Sequence, residues 1–207
     1  MPVTRTFLYQ CLASGLMTMA SSMMAVMVPL YAVALGLGAQ WLGVLMALPG
    51  IFPVLLALPA GRWVDALGAQ RWFFLGLVGL GLAPLGVVVF PGVAALAASR
   101  LVLGFFYIFF TLASQSLVAS LGNGRTHESN FAVHSTWLAG GRMVGPVLVG
   151  AIIDSAGYRI SYAAVFVVLL AAMVFGFMVV RSARHTAGGR IRPGPPHRPR
   201  VRPRSPA

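Results

Sequence analysis

The feature that most restricts this chain is the length of its uncharged runs. Residues 7–35 hold no Asp, Glu, Lys or Arg, and apolar stretches follow at 41–59, 72–89, 93–121, 131–153 and 162–180, two of them with a single Arg. An α-helix of about 20 apolar residues crosses the hydrocarbon layer of a bilayer. Only 9% of the side chains are charged and the mean hydropathy is +0.87, whereas soluble domains carry about 25% charged residues. The chain therefore reads as an all-α membrane protein of six predicted transmembrane helices, and a water-soluble globule is excluded. A cleaved leader competes for the first run, because Arg5 precedes it and Thr18-Met19-Ala20 offers small residues. The run continues to about Leu37, too long for a leader core, so a retained helix is expected.

Charge narrows the function classes further. All fifteen basic residues are Arg, and eight of them follow residue 180, leaving seven against Asp65, Glu128 and Asp154. The net charge of +12 thus belongs mainly to the tail, and a nucleic-acid partner is not expected. Residues 183–207, rich in Arg and Pro, cannot build a core and are expected to be disordered beside a helical unit of residues 1–182. The lone Cys11 excludes an intramolecular disulfide. No cluster with metal-ligand spacing and no phosphate-cradling glycine loop occurs, so neither metal nor cofactor is expected. An intramembrane protease would need a nucleophilic Ser and a His on a later helix, which the chain lacks, so it is not read as an enzyme.

One motif occurs twice. Residues 61–71, GRWVDALGAQR, place Gly61, Asp65, Gly68 and Arg71 in a polar hinge between the second and third predicted helices. Gly150, Asp154, Gly157 and Arg159 repeat the pattern after the fifth. Three helices separate the copies, so an odd number of crossings inverts the second, giving a 3+3 inverted repeat of the kind that secondary transporters use. Arg5, Arg62, Arg71, Arg125 and the tail fall in alternate links, with Arg159 as an exception. The positive-inside rule then predicts a multi-pass protein of the inner (plasma) membrane with both termini cytoplasmic.

Polar side chains are equally patterned. Gln10, Ser14, Thr18 and Ser21 or Ser22 recur at steps of three or four, as do Arg100, Gly104, Tyr107, Thr111 and Ser114. Each set shares one helix face, which in a bilayer must meet protein or water. The first and fourth helices are therefore expected to border a central cavity, with Arg100 pointing into it and snorkelling to the interface as its competing reading. The second and fifth are expected to flank them, and the third and sixth to face lipid. Arg142 lies mid-membrane and suits a pathway or helix-packing role. His134 reads first as an interfacial hydrogen-bonded residue, with a proton relay as the alternative. Gly76, Gly79, Gly81 and Gly86 in the third helix allow close backbone contact.

On these residues the chain resembles the amino-terminal six-helix half of the major facilitator superfamily. Gly61, Asp65 and Gly68 match the family's G-x-x-x-D-x-x-G-R-R/K signature, the basic pair being reduced to a displaced Arg71. Arg100 and Gly104 are similar to its R-x-x-x-G element. Gly141, Gly145, Pro146 and Gly150 resemble the antiporter signature G-x-x-x-G-P-x-x-G-G, with Val149 in place of one glycine. The resemblance implies transport of a small solute, secondary-active efflux with protons as a possible partner, a conformational switch at the hinge and a kink at Gly145-Pro146. No Asp or Glu lies within a predicted span, so the family's usual proton acceptor is absent from this half. Helices seven to twelve are also absent, and three readings stay open. The chain is a truncated or frame-shifted product whose tail is out of frame, a half-transporter that pairs with a second chain, or a non-transporting fragment.

Overall fold

A computed structural model of the protein describes residues 5–120 and 127–188, with side chains through Ser182. Arg125 and the tail beyond Gly188, both used in the orientation argument, lie outside the described residues. The elements are α1 (Arg5–Ala34), α2 (Ala39–Leu67), α3 (Ala69–Val89), α4 (Val93–Ser120) and α5 (His127–Gly188). Each of the five is long and apolar enough to cross a membrane.

Five helical elements are thus described where six spans were expected, the fifth of them two helices joined across a break at Gly157. Residues 154–161, expected as a link, are helical except at Gly157, whose φ of 77° and ψ of 177° lie in a region essentially reserved for glycine. The chain reverses there, as its contacts with α1 show. Before the break, Gly141 packs on Gly15 and Gly145 on Met19, so position along α5 rises with position along α1. After it, Tyr158 donates to the Leu30 carbonyl at 3.2 Å and Thr6 bonds Ser182 at 2.6 Å, so the order is inverted. α5 therefore lies along α1 twice, in opposite directions.

The hinge at 61–71 shrinks in the same way. Gly61 and Asp65 sit in the last turns of α2, Arg71 in the first turn of α3, and Gly68 alone breaks the helix at φ 91°. Both copies of the motif run helical through the aspartate and break at the following glycine. The sequence repeat is a repeated backbone device.

The core is built on α1 and α4, with Met17, Met23, Met24 and Met27 buried together with Phe109 and Phe110. Methionine's flexible thioether fills the irregular space between helices. α3 closes onto this core through its glycines, Gly76 against Phe110, Gly79 against Phe106 and Gly81 against Met173 of α5. Half of its most apolar window is buried, against 6% for α2. One face of α3 therefore packs on the bundle through a stripe of small residues, while Leu75, Leu82 and Val89 stay exposed on it, as the lipid-facing expectation for the third and sixth helices requires of the third.

Candidate functional site

Three elements converge on a cavity of about 130 Å³: α1, α4 and the part of α5 before Gly157. Five residues singled out in the sequence line it, Thr18, Tyr107, Thr111 and Ser114 by their spacing and Arg142 by its place in the middle of a span. Gln115 and His134 join them. Ser14 lies beside this wall, its hydroxyl 3.2 Å from that of Ser114. The helical period explains the meeting, since residues three and four apart share a face.

The inner wall is a buried hydrogen-bond chain. Gln10 Nε2 donates to the Ser114 carbonyl at 2.8 Å, and Ser114 Oγ is 3.2 Å from His134 Nε2. Thr18 Oγ1 donates to the Ser14 carbonyl at 2.7 Å. Gln10 Oε1 is buried without a hydrogen-bond partner among the described residues. The network ties α1, α4 and α5 together through side chains that would otherwise be stranded in an apolar interior.

The outer part of the cavity is different. Tyr107, Thr111, Gln115 and Arg142 line it, and none of them has a side-chain hydrogen bond among the described residues. It is a donor-rich surface. His134 and Gln115 were legible in the sequence, since His134, Leu138 and Arg142 are spaced four apart and Gln115 follows Thr111 by four.

Arg100 does not line this cavity. Its side chain is buried, and Nε donates to the Leu45 carbonyl of α2 at 3.2 Å. The partner is not accidental: Pro49, four residues on, has no N–H with which to take that carbonyl in the helix. Gly104, one turn further along α4, packs against the Pro49 backbone, and a Cβ there would collide with it. Arg100 and Gly104 together dock α4 onto the proline step of α2. Spacing within α4 alone gives no sign of this, because the freed carbonyl belongs to another helix.

Asp65, Gly68 and Arg71 border a surface recess of about 720 Å³ with Ser116 and Ser120 of α4. Asp65 and Arg71 are exposed and form no ion pair among the described residues. The joint is held by aromatics instead. Trp72 Nε1 donates to the Trp63 carbonyl at 2.9 Å, and both indoles stack on Phe109 of α4, at 4.2 Å and 6.0 Å.

In the antiporter-like stretch, α5 keeps helical dihedrals through Pro146. Gly141 and Gly145 pack against the α1 backbone, and Ser22 donates to the Gly141 carbonyl at 3.3 Å. Gly150 has open space where a Cβ would project. No group of His, Cys, Asp and Glu able to hold a metal occurs among the described residues.

A family model described as Major Facilitator Superfamily matches residues 11–205 of the chain. No curated protein matches it. Among solved structures it is similar to the human organic anion transporter MFSD10 (TETRAN), with a TM-score of 0.68 and 20% identity. That match covers 87% of this chain and 48% of the other, so the chain spans about half the length of that structure. At this identity the likeness is one of fold.

Proposed function

Because the chain belongs to the Major Facilitator Superfamily, we propose that it forms the amino-terminal half of a secondary-active transporter that exports a small solute. In this reading the polar cavity between α1, α4 and the first part of α5 is one wall of the solute pathway. The observation that carries it is the convergence of Thr18, Tyr107, Thr111, Ser114 and Arg142, from three helices, on one space. The two parts of α5 act as separate spans joined at Gly157, which restores a 3+3 arrangement with both termini cytoplasmic in the plasma membrane. Exposed apolar side chains such as Val54 and Leu58 of α2, and Met143 and Val147 of α5, support a second half covering these faces. The chain by itself is then expected not to move solute.

Single cysteines placed on a Cys11→Ala background test the pathway. A membrane-impermeant thiol reagent should label positions 18, 107 and 111 well above positions 167 and 174, whose side chains point out from the last part of α5. The reverse ranking would sink the reading. Asp65, between the helix ends at the hinge, serves the conformational switch, and the Gly145-Pro146 step supplies pliancy to α5. In a protein carrying both halves, Asp65→Asn should impair transport while membrane insertion stays normal. Unchanged transport kinetics would count against that role.

A further inference from the structure

We propose that the cavity binds solutes through a carboxylate held by Arg142, with the hydroxyls of Tyr107 and Thr111 as further donors. This rests on the reading of the cavity as part of a solute pathway. The argument begins from the charge inventory. The chain has three acidic residues in all, and none of them lines the cavity. Asp65 lies near the end of α2, Glu128 at the start of α5 and Asp154 just before the Gly157 break, all exposed. Arg142 stands midway between His127 and Gly157, far from either end and from the headgroup phosphates that flank a span.

A guanidinium at such a depth is unfavourable by about 2.5–3.5 kcal/mol on insertion scales unless it is paired or hydrated. The other Arg within a predicted span shows what pairing looks like: Arg100 is buried against the carbonyl freed by Pro49. Arg142 has no such bond among the described residues and opens onto the cavity. The groups beside it are also uncommitted. Ser114 and Thr18 already spend their hydroxyls within the protein, whereas Tyr107 and Thr111 do not. A planar carboxylate matches the fork of a guanidinium and takes two parallel charge-assisted hydrogen bonds from it, with the hydroxyls available to its remaining lone pairs. A cationic solute would instead meet an uncompensated like charge. A carboxylate of a second protein half is the rival partner for Arg142, and a competitor that displaces it separates the two.

The test uses the unmodified full chain in lipid nanodiscs, with phenylglyoxal as the arginine reagent and mass spectrometry as the readout. Benzoate should slow modification of Arg142 about tenfold, equivalent to about 1.4 kcal/mol, while exposed Arg62 and Arg71 react at their former rates. Benzamide, its neutral counterpart, should give no protection, and Tyr107→Phe should weaken protection by benzoate. Absence of protection by benzoate, or equal protection by benzamide, overturns the proposal. Protection by benzylammonium alone also overturns it. That outcome leaves the pathway reading standing, because that reading falls only on the cysteine labelling.

Discussion

α2 and α3 are chemically alike and structurally opposite. Their most apolar windows have the same mean hydropathy, 2.2, yet half of one is buried and only 6% of the other. The difference lies in where the small residues fall. α3 meets α4 and α5 through Gly76, Gly79 and Gly81, each against a large side chain. α2 has glycines too, but Gly43, Gly50 and Gly61 all face open space. It touches the bundle closely at the Pro49 step, where Gly104 and Arg100 of α4 dock. Hydropathy therefore places a segment in the membrane, and small residues facing bulky ones decide how deeply it packs.

This contrast can be broken most directly at the Pro49 step, where the backbone of α2 docks on α4. Gly104→Val would drive a side chain into the Pro49 backbone, which cannot rotate aside, so a loss of about 3 kcal/mol or more is expected, beyond the usual range for overpacking. Reversible unfolding in mixed micelles would read it, and a neutral result would show that α2 is not anchored there. The α3 interface comes next. Gly76→Val presses on the Cβ and backbone of Phe110, and a loss of about 1–3 kcal/mol is expected, smaller than at Gly104 because the approach is less close.

Arg100→Met sharpens the comparison by removing only the polar half of the α2 anchor. It leaves the Leu45 carbonyl without a partner, for an expected loss of about 1 kcal/mol, in the range of interhelical hydrogen bonds in membranes. The smallest effect has the opposite sign. Gly50→Ala projects into open space within α2, so a gain of about 0.5–1 kcal/mol is expected from helix propensity alone. Destabilisation at Gly50 comparable with that at Gly76 would remove the distinction between the two helices.

Much of the site was legible beforehand. Steps of three and four were enough to place Thr18, Tyr107, Thr111 and Ser114 on shared faces, because the helical period is a local property and a bilayer leaves few places for polar groups. The recurrence of Gly61, Asp65 and Gly68 in Gly150, Asp154 and Gly157 likewise announced two equivalent joints. What it did not announce was their form, a single glycine break in otherwise continuous helix. Local polarity suggests a loop, whereas the dihedral angles of seven neighbouring residues decide whether one exists.

The sequence by itself determined that this chain is helical, lies in a membrane and carries polar stripes on its first and fourth segments, since all three follow from composition and spacing along one strand of chain. Only the tertiary structure decided which apolar helix is buried, that α5 doubles back along α1, and that the two mid-helix arginines differ. Arg100 is occupied because Pro49 frees a carbonyl on another helix, with the accepting residue 55 positions away. Arg142 opens on a cavity, and no carbonyl among the described residues bonds it. Which groups meet across helices depends on packing in three dimensions, and periodicity within a helix carries no record of it.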